Sequence, residues 1–502
     1  PDPSLKIDNC GIKVVNSTKF LGVTFDSKLS FIPHITSLKA KCLKSLNILK
    51  VVSRLNWGGD TTVLLRLYRS ITRSRLDYGC IVYGSARPSY LRCLNTVHNQ
   101  GLRLSLGAFR TSPVESLYVL AKEPPLSLRR LKLSLQYTVK LAANPTNPAY
   151  SIVFHPDFTD RYDNRPNAIR PLGLRMGPHL AAAGIDPFFI SENRVPQIPY
   201  WNMKNPVINL ELEKLKKADT DPIEYQTRFQ VIKLKQHDHK FLYTDGSKDG
   251  NRTAYAVTSC KANLYSERIP NECSIYTAEL LAIYQAVWLA GMSEKDKFVI
   301  CSDSKSAIQA LAGKQMDHPI LQDILMLLSG IEDKEIIFCW IPGHVDIAGN
   351  ERADTMAKKA LSKEMSDDTI PYTDLRPVIN EYIKSGWQVM WNACENNKLR
   401  SILPRIKEVK SVKARTRRDQ IVIHRCLIGH SRLTHSHLLQ GNPAPICDNC
   451  QCPLTIKHIL KDCRDFQRQR DTLLPTNPLQ FLTHKPENII TYLHQTQTYY
   501  KI

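Results

Sequence analysis

The chain has 502 residues, a formal net charge of +21 and a pI of about 9.3. Hydrophobic residues make up 42% of it and charged residues 23%, which is typical of globular proteins and excludes an extensively disordered chain. The length leaves room for roughly two to four domains, and the basic excess favours a polyanionic partner, most commonly nucleic acid, although a generally basic surface would give the same charge.

Cysteine usage and apolar runs bear on the compartment. The 14 cysteines lack the pattern of a secreted disulfide framework, and several lie singly in apolar runs. We therefore expect an intracellular protein, in the nucleus or the cytoplasm. No apolar run reaches the ~18 residues of a membrane span, so no membrane partner is expected. The sequence begins with Pro1 and not with methionine, so it does not tell whether the protein has a signal peptide.

Four segments differ in composition and patterning. Residues 1–141 alternate short apolar strands with helical runs rich in Leu, Arg and Lys. Residues 142–236 are dense in proline with little periodicity, which predicts a linker. Residues 237–364 alternate strands and helices, the pattern of an α/β domain. Residues 374–502 are basic and end in a Cys/His cluster.

In the third segment, two acids follow predicted strands. Asp245 comes at the end of the strand pattern 241–245, and Asp303 follows the continuous apolar run 298–301. Ligands of open α/β sheets bind at the carboxyl ends of the strands. We therefore expect Asp245 and Asp303 at one edge of the sheet.

Two further acids lie on predicted helices. Glu279 flanks the apolar stripe of a helix over 274–292, and Asp354 flanks that of a helix capped by Asn350. These helices are able to bring both acids over the same edge. Four converging carboxylates repel one another unless cations neutralise them, and hard oxygen ligands select Mg²⁺ or Mn²⁺. Two such ions about 4 Å apart suit in-line displacement at phosphorus, one activating water and the other stabilising the leaving 3′ oxygen.

Each candidate has a commoner structural role when it is considered alone. Asp245 before a glycine is typical of a turn, and Asp303 of a helix N-cap. Glu279 and Asp354 would ordinarily be solvated helix residues, and His344 a surface loop residue. The combination favours a functional site, because strand order, apolar pattern and acid placement agree.

Five ordered motifs of this segment resemble type 1 ribonuclease H. They are Tyr-Thr-Asp-Gly-Ser (243–247), Thr-Ala-Glu-Leu (277–280), Ser-Asp-Ser (302–304), Pro-Gly-His (342–344) and Gly-Asn-Glu-Arg-Ala-Asp (349–354). The resemblance implies an α/β fold with a mixed five-stranded sheet flanked by helices. It also implies a metal-dependent endonuclease that hydrolyses the RNA strand of RNA–DNA hybrids with two Mg²⁺ or Mn²⁺ ions.

The resemblance also implies residue roles. The catalytic, metal-holding set of the family maps onto Asp245, Glu279, Asp303 and Asp354, and His344 is similar to its mobile loop histidine. Asp245 would touch both ions, with Asp354 on the water side and Glu279 and Asp303 on the leaving-group side. The chain is short between Leu311 and Pro319, where some cellular members carry an extra basic helix that grips the hybrid. At 275–277 it has Ile-Tyr-Thr in place of the polar residues with which cellular members touch the minor groove. Weaker hybrid affinity, with unchanged chemistry, is therefore expected.

The C-terminal segment carries a candidate zinc site. Cys447, Cys450, His458 and Cys463 have spacings that suit one tetrahedral Zn²⁺ in a small module, and Cys452 is a competing ligand. The alternative is a set of free thiols in a basic tail. Upstream, residues 398–420 are rich in basic side chains, which predicts a phosphate-contacting surface or else a solvated face. These are Lys398, Arg400, Arg405, Lys407, Lys410, Lys413, Arg415, Arg417 and Arg418.

Both flanks resemble parts of non-LTR retrotransposon polyproteins. Residues 430–438 together with the Cys/His cluster resemble their tail, residues 19–26 the strand after the reverse-transcriptase palm, and residues 61–113 the thumb and connection region. Residues 1–141 are therefore expected to be a helical thumb- and connection-like remnant. No aromatic-x-Asp-Asp motif occurs, so the palm is absent and a polymerase domain outside this chain is an expected partner.

Three functions compete at this point. The leading interpretation is a ribonuclease acting on RNA–DNA hybrids within a retrotransposon-derived protein. The second is a nucleic-acid-binding relic, in which the basic tail and zinc module work without hydrolysis. A third, integrase or resolvase chemistry on the same fold, fits the loop and helix of residues 342–354 less well.

Overall fold

The structure is a computed structural model divided into two compact units. The first unit comprises Pro1–Ser134, Arg165–Pro171 and Glu381–Ile502, and the second comprises Leu135–Asn164 and Leu172–Asn380. The described residues are 6–8, 10–11, 14–157, 159–165, 168–194, 198–199, 201–215, 219–313, 318–408, 412, 414–475 and 477–502.

In its described part, the second unit is built on one mixed six-stranded sheet. The strands are β1 (Val207–Asn209), β2 (Lys240–Asp249), β3 (Arg252–Ser259), β4 (Asn263–Ile269), β5 (Lys297–Ser302) and β6 (Glu335–Trp340). They lie in the order β1-β6-β5-β2-β3-β4. The β2-β3-β4 pairs are antiparallel, and the remaining pairs are parallel.

The sheet has one strand more than the five expected. The additional strand is β1, which pairs in parallel with residues 337–339 of β6. It lies in the proline-dense segment 142–236, where a linker was expected. Helices also form in that segment, and three of them bury apolar side chains such as Val153, Leu180 and Phe229. They are Ala149–Phe154, Thr159–Asp163, Leu172–Ala182 and Pro222–Lys235, the last of which we label α1.

Helices cover both faces of the sheet. They are α1, α2 (Ile275–Gly291), α3 (Lys305–Ala312), α4 (Pro319–Gly330) and α5 (Ala348–Ala360). Leu242, Ile300 and Phe338 pack with α2, α3 and α4 on one face. Neighbouring strand residues, such as Tyr243 and Val299, point to the other face and pack with α1 and α5. Burial on both faces accounts for the continuous apolar runs of β5 and β6.

The described part of the first unit is mainly helical, as expected for the N-terminal region, and it contains two hairpins. Its strands pair as Lys6–Ile7 with Cys10–Gly11 and Ser17–Phe20 with Val23–Asp26. Its longest helix is Ile32–Val52, followed by Thr61–Tyr68, Asn95–Leu106 and Val114–Ala121. Shorter N-terminal helices are Ser74–Asp77, Cys80–Tyr83 and Pro88–Leu91. Helices Leu126–Ala142 and Leu375–Asn392 have residues in both units.

The C-terminal part of this unit shares a core with its N-terminal part. Leu46 and Leu102 belong to the same buried cluster as Ile423 and Leu427. The two ends of the sequence, expected as separate domains, therefore contribute to one unit. The C-terminal helices are Lys398–Ile402, Arg417–Ile428, Arg432–His435, His437–Gln440, Gln467–Leu473, Pro478–His484 and Pro486–Gln495. Among the described residues, no helix has both the length and the apolar composition needed to cross a membrane.

Candidate active site

Asp245 and Asp303 lie directly after the point where the pairing between β2 and β5 ends. The parallel pairing of β2 with β5 ends at Thr244 opposite Ser302, and each aspartate is the next residue of its strand or loop. Strand β2 itself continues to residue 249 through its antiparallel pairing with β3. Asp245 therefore lies within β2, at the point where only one neighbouring strand remains.

Glu279 reaches this edge because helix α2 approaches the sheet closely. A Cβ atom on Gly246 would lie 3.0 Å from the backbone nitrogen of Glu279 and 3.0 Å from the Cβ atom of Ala278. A larger residue at position 246 would have to displace the helix. The glycine after Asp245, which alone suggested a turn, thus makes room for the helix that carries the second acid.

The three acids form a buried cluster, which we call the carboxylate trio. One carboxylate oxygen each from Asp245, Glu279 and Asp303 lies within 4.8 Å of the others. Asp245 is 6% exposed and Glu279 is 7% exposed. Among the described residues, Oε2 of Glu279 is buried and has no hydrogen-bond partner. A buried carboxylate oxygen without a donor requires a proton or a cation.

Burial and mutual repulsion disfavour the charged forms of the acids in the trio. Burial, followed by the charges of Asp303 and Asp354, raises the pKa of Asp245 to about 8. Burial, followed by the charges of Asp245 and Asp303, raises the pKa of Glu279 well above its ordinary value. Carboxylate oxygens are hard donors, so a divalent cation such as Mg²⁺ or Mn²⁺ fits these residues and would relieve the repulsion.

Asp354 belongs to a second, more exposed group. Its carboxylate lies with His344 and Glu351 in a cluster whose ligand-type atoms are all within 4.8 Å of one another. Nζ of Lys358, one helical turn further on, donates to its Oδ2 at 2.7 Å. The structure thus brings three of the four predicted acids together and places the fourth beside them, close enough to raise the pKa of Asp245.

His344 lies on the loop after β6, with a positive φ of 57°. The preceding residue, Gly343, is packed against Asp303, where an added Cβ atom would come within 2.5 Å of Oδ2. The indole nitrogen of Trp340 donates to the backbone oxygen of Asp303 at 3.0 Å. The end of β6 and the loop after it thus both pack beside Asp303, and the loop also carries the exposed imidazole of His344.

Sequence reasoning missed one neighbour and misassigned a helix cap. Glu351 was not predicted, although its position three residues before Asp354 on one helix is a visible signal. The expected cap at Asn350 is wrong: α5 begins at Ala348, Ile347 is its N-cap, and Asn350 is buried within the helix. Ile347 and Gly349 are buried, and the helix starts before the polar residue.

The Cys/His cluster of the first unit is assembled in the structure. Ligand atoms of Cys447, Cys450, His458 and Cys463 lie within 4.8 Å of one another. The backbone N–H of Cys450 is the largest influence on the pKa of the Cys447 thiol and lowers it, against the effect of burial. Such N–H donors favour the thiolate that a soft metal binds. Sγ of Cys452 lies 3.3 Å from Nδ1 of His458, so this fifth sulfur contacts the same imidazole.

The expected phosphate-contacting surface is only partly available. Arg417 is buried, and its guanidinium donates to Thr61 Oγ1 at 2.9 Å and to the backbone oxygen of Leu104 at 3.0 Å. Lys407 is paired with Glu381 at 2.6 Å. The prediction fails for Arg417, because its charge is used inside the unit. Lys410 and Lys413 lie outside the described residues, as do residues 314–317 of the short connection.

Comparison with protein families identifies the sheet domain. Residues 237–362 match the family model for RNase H. The expected ribonuclease H domain is thereby confirmed, with a boundary close to the predicted 237–364. A solved structure, RNase H1 from the halophilic archaeon Halobacterium salinarum NRC-1, is 24% identical and covers 24% of this chain and 97% of its own, with a TM-score of 0.20.

The chain is also similar to polyproteins of mobile elements. A probable RNA-directed DNA polymerase from transposon X-element of Drosophila melanogaster is 29% identical over 109 residues, 21% of this chain and 12% of that protein. A retrovirus-related Pol polyprotein from type-1 retrotransposable element R1 of Bradysia coprophila is 26% identical over 147 residues, 29% of this chain and 15% of its own length. The RNA-directed DNA polymerase from mobile element jockey of Drosophila melanogaster is 27% identical over 154 residues, which are 29% of this chain and 16% of that protein. The chain thus spans less than a fifth of each relative, and the expected similarity to retrotransposon polyproteins is confirmed.

Proposed function

We propose that the domain of residues 237–362 is a metal-dependent endonuclease that hydrolyses the RNA strand of RNA–DNA hybrids, within a retrotransposon-derived protein. The carboxylate trio carries this proposal, because its three acids are gathered within 4.8 Å and largely buried. A purely structural cluster would be expected to satisfy its buried oxygens with donors, and Oε2 of Glu279 has none among the described residues.

The residues suit two neighbouring cations. Asp245, Glu279 and Asp303 would hold one of them, and Asp354 together with Asp245 would hold the other. When bound, the ions supply the Lewis acidity that makes water a nucleophile and stabilises a leaving 3′ oxygen at phosphorus. Without them, burial and mutual repulsion disfavour the charged forms of Asp245 and Glu279, which raises the pKa of each carboxyl.

His344 would handle protons at the solvent side of the site. Its imidazole is exposed and lies within 4.8 Å of carboxylate oxygens of Glu351 and Asp354. An imidazole in this position is able to exchange a proton between the acidic group and solvent. Lys358 holds Asp354 in place through the 2.7 Å contact with its Oδ2.

The decisive experiment is a cleavage assay with the full chain. Labelled RNA–DNA hybrid, duplex DNA and duplex RNA are incubated with the protein in Mg²⁺ and separately in Mn²⁺. We expect nicks in the RNA of the hybrid and intact duplexes. Equal cutting of duplex DNA, as an integrase-like nuclease would give, contradicts the proposal, and so does inertness in both metals.

A second function is supported by the first unit. We propose that Cys447, Cys450, His458 and Cys463 hold one structural Zn²⁺ and that the upstream basic segment, residues 398–420, binds nucleic acid. The supporting observation is the assembled cluster with its N–H donors on Cys447. If hydrolysis fails, this module makes the chain a nucleic-acid-binding relic. A polymerase domain outside this chain is the proposed partner in either case.

A further inference from the structure

A buried aspartate outside the family match is hydrogen-bonded to the helix that carries Glu279. The chain leaves α5 and runs along strand β4, where the backbone N–H of Ser366 donates to the oxygen of Arg268 at 2.8 Å. The segment, residues 363–374, ends at Asp374, which is 6% exposed. Asp374 lies beyond residue 362, where the ribonuclease H match ends.

The Asp374 carboxylate binds the first turn of α2 with three hydrogen bonds. Oδ2 accepts from the backbone N–H of Ser274 at 2.8 Å and from Oγ1 of Thr277 at 2.5 Å, and Oδ1 accepts from Oγ of Ser274 at 3.0 Å. Ser274 is itself the N-cap of α2, since its Oγ accepts from the N–H of Thr277 at 3.2 Å. A carboxylate here also interacts favourably with the positive end of the helix.

His318 belongs to the same network, because the single hydroxyl proton of Thr277 decides which group donates to the other. Thr277 has one hydroxyl proton, which it donates to Asp374. Its 3.2 Å contact with Nε2 of His318 therefore requires the imidazole to donate. His318 is 7% exposed, and Tyr276 packs edge-on against its ring at 5.6 Å. The start of α2 is thus held from two sides by buried, hydrogen-bonded groups.

The first turn of α2, which these hydrogen bonds hold in place, directly precedes Glu279. Thr277 is fully buried and two residues before Glu279, on a helix whose approach to β2 is limited by the 3.0 Å clearance at Gly246. The helix start therefore has little freedom to slide or rotate. Among the described residues Oε2 of Glu279 has no donor, so the backbone of α2, together with the N–H of Gly246 on the same carboxylate, sets where this oxygen lies.

We infer that Asp374 is a positioning residue for Glu279, acting through Ser274 and Thr277 and assisted by His318. The inference rests on the proposed function, since it assigns the network a role in holding the cation ligand of the trio. It also extends the functional unit past the family boundary to residue 374. Without Asp374, the first turn of α2 loses three hydrogen bonds and Glu279 is less well placed to hold a cation.

The test compares Asp374→Asn with Asp368→Asn in the full chain. The amide keeps the size of the side chain, but it removes the negative charge at the start of α2 and leaves only one atom that accepts a hydrogen bond in place of two. Asp368 is the matched control, because it lies exposed on the same segment and accepts from Ser366 Oγ at 2.6 Å. Mn²⁺ binding is measured by titration calorimetry, and single-turnover cleavage is measured over a range of Mn²⁺ concentrations.

We expect Asp374→Asn to weaken Mn²⁺ binding by about 10- to 100-fold, the range seen when outer partners of metal ligands are removed. Cleavage should recover at high Mn²⁺, with the KM for hybrid unchanged, whereas Asp368→Asn should match the unchanged chain. Thr277→Val should repeat the defect, and Thr277→Ser, which keeps the hydroxyl, should restore binding. A thermal melt of each variant separates misplacement from unfolding.

Two outcomes overturn the inference. One is Mn²⁺ binding by Asp374→Asn equal to that of Asp368→Asn, and the other is equal binding by Thr277→Val and Thr277→Ser. If the unchanged chain binds Mn²⁺ without cutting the hybrid, the proposed function fails, and the binding comparison still decides the role of Asp374. An unchanged chain that binds no Mn²⁺ refutes both.

Discussion

Gly343 and Asp303 lie so close together that a Cβ atom at position 343 would come within 2.5 Å of the Asp303 carboxylate oxygen Oδ2. The glycine of the Pro-Gly-His loop thus limits where the acid that follows β5 is able to lie. A bulkier residue there must push either the loop or the carboxylate away from the trio.

Gly343→Ala should therefore impair cleavage while leaving the fold largely intact. We expect a loss of about tenfold or more in single-turnover rate, because small misplacements of reacting groups are costly. Gly330→Ala is the control, since an added Cβ meets nothing within 4 Å there. Equal rates for the two variants in the hybrid assay would show that Asp303 tolerates the displacement.

Asp245→Asn should abolish cleavage while hybrid binding persists. Asp245 is the acid that faces both the other trio members and Asp354, so water activation and leaving-group stabilisation fail together, by several orders of magnitude. His344→Ala should be milder, slowing turnover without eliminating it. Single-turnover rates at saturating protein measure both. An Asp245→Asn protein that cuts at the unchanged rate would mean the site is elsewhere.

The stability of the metal-free protein should depend on the protonation of Asp245. Burial and the neighbouring acids raise its pKa from 3.8 to about 8 in the folded state. The folded state therefore holds the proton more tightly, so this contribution is present below pH about 4 and is lost as the pH rises to about 8. Chemical unfolding across this pH window should show a steeper fall for the unchanged chain than for Asp245→Asn. If the free energy of unfolding falls equally with pH in both proteins, the raised pKa of Asp245 is contradicted. Added Mg²⁺ should reduce the difference between the two proteins.

The Cys/His cluster should contain one zinc ion per chain. Metal analysis of protein purified without chelator should find it, and Cys450→Ser should lose it, because three sulfur ligands and one imidazole complete a tetrahedral site. Cys452→Ser is the matched variant, since Cys452 contacts His458 but lies outside the four-residue cluster. Zinc retained by Cys450→Ser and lost by Cys452→Ser would reassign the ligands.

Arg415 and Arg417 should behave differently although they are two residues apart. Arg415 is exposed, so Arg415→Ala should weaken hybrid binding and reduce the slope of log affinity against log salt by about one. Arg417 is buried on Thr61 and Leu104, so its replacement should lower the free energy of unfolding by about 1–3 kcal/mol through the unpaired acceptors. Salt-dependent binding and denaturant unfolding of both variants distinguish the roles. A salt slope changed only by Arg417→Ala would reverse the assignment.

The sequence predicted the trio better than its surroundings. Apolar runs ending at Asp245 and Asp303 are local patterns, and they placed both acids at one edge before any contact was known. The role of Asp374 could not be foreseen in this way, because its partner Thr277 is 97 residues earlier in the chain. The short strand β1 could not be predicted for a related reason. Its three residues lie among prolines and form a strand only because they pair with the edge of β6.

Strand β1 affects where a fragment of this protein should begin. The family match begins at residue 237, but a fragment starting there would lack both β1 and α1. The backbone groups of β6 that pair with residues 207–209 would face solvent, and the apolar side chains beneath α1 would be uncovered. Exposed strand edges recruit other strands, so such a fragment invites self-association. A fragment for crystallisation or assay should start before Val207 and continue through Asp374.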